Sequence, residues 1–166
     1  SMWQRWAKLY PSLRNNLIVN KGVGGNTTAQ VAARIQADVL DNDPAIVLLS
    51  ACNNDIAGPI TLADRTTNTQ SSINLCAAAS VPVVLYNATY CTINKAGQPA
   101  QKDYYEEWWD DYMPALTGLA GTIDIMGGLS GADGYADLQF TQSDHTHPNA
   151  IGYRRKGEWI AALPYA

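Results

Sequence analysis

Extended clusters of basic residues are missing from this 166-residue chain, and charge of either sign is scarce: Asp, Glu, Lys and Arg together make up 16% of it. With a net charge of −4 and no basic run longer than Arg154-Arg155-Lys156, it is not expected to bind nucleic acid, because affinity for a phosphate backbone comes largely from basic residues. No apolar run approaches the roughly 18 residues of a membrane-crossing helix, so no membrane span is expected. Cysteine is sparse as well. Cys52, Cys76 and Cys91 match no metal-ligand spacing, and an odd count leaves at least one thiol unpaired in a monomer. One disulfide is allowed and none is required. The only two histidines stand together in the stretch SDHTHPNAIGY, Ser143 to Tyr153.

What is present suits one domain: the length is enough to bury a core, and 46% of the residues are hydrophobic. A first strand is expected at NLIVN, Asn16 to Asn20, running into the glycine-rich KGVGGN and then a helix. Thr27 or Asn26 can cap that helix, Gln30 can close a capping box from Thr27, and Val31, Ile35 and Val39 share one face. It should end before Asn42-Asp43-Pro44. AIVLLSA, Ala45 to Ala51, is a continuous apolar run of strand length, the pattern of a strand buried on both faces of a parallel sheet. A helix over about Leu62 to Ala79, a strand in VPVVLYNA, a helix from Tyr104 to about Leu119, a strand in TIDIM and a last helix from about Asn149 complete the order. This alternation predicts an α/β fold with a parallel sheet and helices on both faces, and in such sheets ligands sit at the C-terminal ends of the strands.

Three segments follow strands or precede the last helix: Gly22 to Asn26, Cys52 to Asp55, and Asp144 to Asn149. The first lacks the third glycine of a dinucleotide fingerprint, since Thr27 stands there, and no Gly-Lys-Ser/Thr follows, which disfavours phosphate binding. Its glycines permit a sharp turn, and a glycine N–H at a helix start is a ready donor to a developing oxyanion. Asn54 carries an amide suited to the same task. In the third segment Asp144, His145 and His147 could ligate a metal, but no further ligand cluster accompanies them. The other reading is an Asp-His pair: Asp144 and His147, three apart in a turn, can meet, so that the carboxylate fixes the imidazole tautomer. Two Asn-x-Thr triplets, at Asn26 and Asn87, are short enough to arise by chance.

Taken in order, Asn20-x-Gly22-Val23-Gly24-Gly25-Asn26-Thr27-Thr28, then Asn54-Asp55 after VLLSA, then Asp144-x-x-His147-Pro148-Asn149, the chain from about Asn16 onward resembles the SGNH, or GDSL-type, hydrolases. The resemblance implies one three-layer α/β/α domain over residues 1–166 with a mainly parallel, flavodoxin-like sheet, and a cofactor-free esterase with a Ser-His-Asp triad. It assigns Gly25 as the backbone oxyanion donor, Asn54 as the side-chain donor, His147 as the base and Asp144 as its orienting partner, leaving His145 without a role. Two departures stand out. Cys52 occupies a position where the family usually has glycine, and the family's Gly-Asp-Ser block, which carries the nucleophile at the end of the first strand, is absent.

Ser1 is the candidate nucleophile, as the end of a block whose preceding strand is absent; it could equally be a remnant ahead of an initiator Met2. Ser50 ends a buried strand and is expected to be structural, and Ser130 in GGLSGA lacks the last glycine of a nucleophile elbow. A sheet without its central first strand would leave two buried edges unpaired, so that strand is expected from elsewhere: a second polypeptide segment that also supplies the nucleophile, a preceding segment of a larger or cleaved protein, or a re-paired sheet. The substrate expected is a small ester or acetylated carbohydrate, which leans towards a secreted protein. A catalytically inactive relative that binds carbohydrate or a protein, with Tyr104, Tyr105, Trp108 and Trp109 as a stacking surface, is the other expectation.

Overall fold

The structure, a computed structural model, describes residues 18–50, 53–56, 58–87, 107–125, 129, 138–143 and 147–161. Helix α1, Thr28–Asp38, starts where the sequence places it. Thr27 is its N-cap: the hydroxyl accepts from Gln30 N, and Gln30 Oε1 accepts from Thr27 N at 2.9 Å, which closes the capping box. A 3₁₀ turn, Leu40–Asn42, prolongs it, and Asp43 at φ 48° turns the chain away in the left-handed region. Strand β1, Val47–Ser50, leads to the one-turn helix α2, Asn53–Ile56, and then to α3, Leu62–Ala78, capped by the hydroxyl of Thr61 on Asp64 N.

Strands β2, Val83–Tyr86, and β3, Gly121–Ile123, complete a three-stranded sheet of order β1-β2-β3, parallel throughout. Val47 pairs with Val83 and Ser50 with Tyr86; Val84 pairs with Gly121 and Tyr86 with Ile123. Side chains alternate across the sheet. Val47, Leu49, Val83 and Leu85 therefore point to one side, where Ile35 of α1 and Ile73 and Cys76 of α3 close a core with Tyr112 and Leu116. Val84 points to the other side and joins Ile123, Ile125 and Leu129, with Phe140 packed against them. The α/β class with a parallel sheet is thus as expected.

Three local features differ from the sequence pattern. Ile18 to Asn20 are not in a strand; Asn20 Oδ1 instead turns back to accept from Gly22 N at 2.9 Å, and Val19 is 54% exposed. β-Branched residues favour a strand through packing on a half-buried pleated surface, and Val19 is too exposed to gain it. Leu48 is 40% exposed, so β1 is not buried on both faces. The expected helix from Tyr104 is replaced over Trp108–Tyr112 by a π-helical turn, in which Met113 N donates to Trp108 O at 2.9 Å. Pro114 has no N–H with which to continue it. In keeping with the odd cysteine count, Cys76 is a free, fully buried thiol whose pKa burial pushes up. Cys52 and Cys91, and the expected external first strand with residues 1–17, lie outside the described residues.

Helix α4, Ala150–Ala161, is capped by Asn149, whose Oδ1 accepts from Ile151 N at 2.9 Å and Gly152 N at 3.0 Å. It packs on the 3₁₀ turn Leu138–Phe140 through Gly152. An added Cβ there would lie 2.3 Å from Phe140 O and 3.1 Å from Pro148 Cβ. Gly152→Ala should accordingly cost about 1–3 kcal/mol in urea unfolding, as overpacking against backbone does. One turn further on, Lys156 is 7% exposed, with its ammonium 5.6 Å from the Tyr153 ring centroid. Burial lowers its pKa from the ordinary lysine value of 10.5 to about 8. Below pH 8 both native and unfolded chains hold the proton, and the native state carries the whole desolvation cost. Between about 8 and 10.5 the unfolded chain binds more protons, so stability rises with pH. Lys156→Met should abolish that rise and stabilise the protein at pH 7 by on the order of 3 kcal/mol, read from urea midpoints at pH 7 and pH 10.

Candidate active site

Because all three strands run the same way, the residues that follow them gather at one edge of the sheet: α2 after β1, Asn87 after β2 and Asp124 after β3. The glycine-rich loop joins this edge through α2. Asn54 Nδ2 donates to Asn26 O at 2.9 Å. The next residue, Asp55, has no exposure at all, and its carboxylate accepts from Thr28 N at 2.9 Å (Oδ1) and 3.2 Å (Oδ2) and from the Thr28 hydroxyl. Two adjacent side chains of α2 thus grip two backbone positions of the loop and the first turn of α1. Thr28 N is one of the donors that a helix start leaves without an intrahelical partner, and a negative charge there also complements the helix dipole.

The loop itself is exposed from Val19 to Gly25. Gly25 adopts φ +84°, a left-handed conformation that side chains resist, just before the carbonyl that Asn54 holds. Among the described residues the Gly25 N–H has no acceptor. A side-chain amide has two N–H bonds, so Asn54 keeps one to offer once Asn26 O has taken the other. Gly25 and Asn54, 29 positions apart in sequence, are therefore brought to one place, each with a donor to spare.

His147 lies at the surface on the short segment that leads into α4. That segment is clasped: Gln142 N donates to His147 O at 2.8 Å, Thr141 and Pro148 form an antiparallel bridge, and Asn149 N donates to Phe140 O at 2.8 Å. Asn149 Nδ2 adds bonds to Gln139 O and Thr141 O at 2.7 and 3.0 Å. Asp144, His145, Ser1, Ser130 and Cys52 lie outside the described residues, as do Tyr104 and Tyr105. Trp108 is half-buried, its ring 4.5 Å from that of Tyr112 and packed on the first core, which removes it from an open stacking surface.

Residues without an assigned role in the sequence also stand here. Asp55 was visible beside Asn54, but its partner is 27 positions away and nothing local reports the pairing. Asn87 is 1% exposed and donates to Asp124 Oδ1 at 2.6 Å, so its amide is engaged inside the fold and not open to a glycan.

The backbone of the loop can be tested directly. Gly25→Ala should destabilise by about 1–2 kcal/mol from the left-handed backbone alone, because an added Cβ would meet nothing within 4 Å. Gly24→Ala, with the same open space and no positive φ, should shift the urea-derived stability by less than about 0.5 kcal/mol.

Comparison with known proteins bears on the same features. A GDSL-like lipase/acylhydrolase family model matches residues 1–155. Curated protein sequences give no match. Among solved structures, a GDSL-like lipase from Bacteroides thetaiotaomicron is similar with a TM-score of 0.72 at 20% identity, covering 96% of this chain and 81% of that one. A mutant of Axe2, an acetyl-xylooligosaccharide esterase from Geobacillus stearmophilus, gives 0.75 at 14% identity, over 99% of this chain and 80% of that one. The psychrotrophic esterase EstA from Pseudoalteromonas, in a structure inhibited by monoethylphosphonate, gives 0.72 at 18% identity, over 95% and 83%. These likenesses establish the shared fold, and with the family model running over nearly the whole length, the chain belongs to the GDSL-like lipase/acylhydrolase family of ester hydrolases.

Proposed function

We propose that this chain is a serine ester hydrolase acting on acetyl esters of a carbohydrate. One observation carries the reading: Asn54 is fastened to the Asn26 carbonyl beside left-handed Gly25, which brings two N–H donors together near the C-terminal edge of the sheet in a chain of this family. In the proposed reaction a serine Oγ attacks the acyl carbon while His147 takes its proton. The carbonyl electrons move onto oxygen, where the Gly25 N–H and the Asn54 amide receive the charge. As the tetrahedral intermediate collapses, the ester C–O bond breaks and His147 protonates the departing alcohol. Water, deprotonated by His147, then attacks the acyl carbon, and as the acyl–Oγ bond breaks His147 returns the proton to the serine and acetate leaves. Asp144 holds the imidazole in its working tautomer, and Ser1 is the nucleophile candidate on this chain. The acetyl-carbohydrate preference is supported by the fold shared with an acetyl-xylooligosaccharide esterase, and such a polysaccharide substrate favours a protein that works outside the cell.

The test is hydrolysis of p-nitrophenyl acetate and of acetylated xylo-oligosaccharides by the purified chain. Asn54→Ala should lower kcat about 100- to 1,000-fold, and His147→Ala by on the order of 10,000-fold. A serine-directed phosphonate should inactivate the protein and mark one serine in peptide mass maps, while chelators leave activity intact. Full activity in His147→Ala, or loss of activity on chelation, defeats the proposal in favour of a different base or a metal.

A further inference from the structure

The proposed mechanism gives no part to the most deeply buried charge at the site. Asp55 sits one residue from Asn54 and touches neither substrate nor the reacting atoms. Its surroundings decide what it does. Helix α2 is a single turn, too short to keep its own shape without outside contacts. Among the described residues the glycine-rich loop is equally poor in internal support: one Asn20 to Gly22 bond, one 3.3 Å Asn26 to Val23 bond, and an Arg34 guanidinium on Lys21 O. Among the described residues, two side chains of α2 tie these weak elements together. The bond of Asn54 to Asn26 O is exposed and competes with water, whereas the contact of Asp55 with Thr28 is shielded and charge-assisted.

The Thr28 hydroxyl also has a fixed sense. It accepts from Asn68 Nδ2 of α3 at 3.3 Å and donates to Asp55 Oδ2, so the carboxylate is referred through Thr28 to a long, well-packed helix. We infer that Asp55 is a positioning residue that sets the aim of the Asn54 donor relative to Gly25 by locking α2 to the start of α1 through Thr28. The inference rests on the oxyanion role proposed above for those two donors. It assigns to the Asp55–Thr28 contact a share in transition-state stabilisation, beyond holding the chain folded.

Thr28→Val keeps the N–H bond to Asp55 and removes only the hydroxyl, so it tests alignment with the least disturbance. Its kcat should fall about 10- to 100-fold with KM within about twofold, since misplaced oxyanion donors affect the transition state and not ground-state binding. Thr28→Ser restores the hydroxyl and should return kcat to within about threefold of the wild type. Asp55→Asn, which leaves the hydroxyl without its acceptor, should behave like Thr28→Val. The deciding measurement is made in the Asn54→Ala background. With the side-chain donor already gone, Thr28→Val should slow the enzyme by less than about threefold further, because the two changes damage the same feature. A full, multiplicative loss there, or unchanged kcat in Thr28→Val beside a crippled Asn54→Ala, overturns the positioning role and leaves the esterase reading standing. Full activity in Asn54→Ala removes the oxyanion reading itself, and this inference with it.

Discussion

A carboxylate removed from water is stable only where donors replace its hydration, and for Asp55 both donors of Thr28 do so. Much of the architecture at the C-terminal edge of the sheet follows from that requirement. The first turn of α1 must lie against α2, which brings Asn26 within reach of the Asn54 amide and holds Gly25 beside it. The capping box of Thr27 and Gln30 fixes where α1 begins, and so which residue presents its N–H to Asp55. Local helix chemistry and the long-range contact thus agree on one register.

The sheet contributes direction more than chemistry. Its parallel strands carry Asn54, Asn87 and Asp124 to the same edge, and its two faces are closed by different means. One is covered by apolar residues of α1 and α3, along with Tyr112, whose hydroxyl donates to Thr69 Oγ1 at 2.5 Å. The other is built around Val84, Ile125 and Leu129, with Phe140 linking it to the turn on which α4 rests. The same turn clasps the segment that carries His147, so the proposed base is held by backbone bonds at positions 140 to 149 and by the cap of α4.

How much of this was legible in the sequence depended on distance along the chain. The start of α1 could be read from Thr27 and Gln30, and α3 from its length and its approach to the next apolar run, because those signals lie within one segment. The strands in AIVLLSA and VPVVLYNA were visible as apolar runs, but the 40% exposure of Leu48 was not, since a run of hydrophobic residues does not report which face is covered. NLIVN had strand composition without strand structure at Ile18 to Asn20. The aromatic segment had helical composition, yet Pro114 and a π-helical turn ended it early. At the site, Gly25 and Asn54 were readable from motif resemblance, whereas the role of Asp55 depended on a partner 27 positions earlier.

That separation has a consequence for the order in which the molecule becomes itself. The capping box of α1 closes over three residues and can form as soon as the helix does, but Asn26 and Asn54 are joined across 28 positions and Thr28 and Asp55 across 27. Closing such spans costs chain entropy that local contacts do not recover. An isolated α1 peptide would carry its cap and nothing of the donor pair. The two donors converge only when β1 has delivered α2 to the helix start, so the site's geometry arrives with tertiary structure and is lost with it.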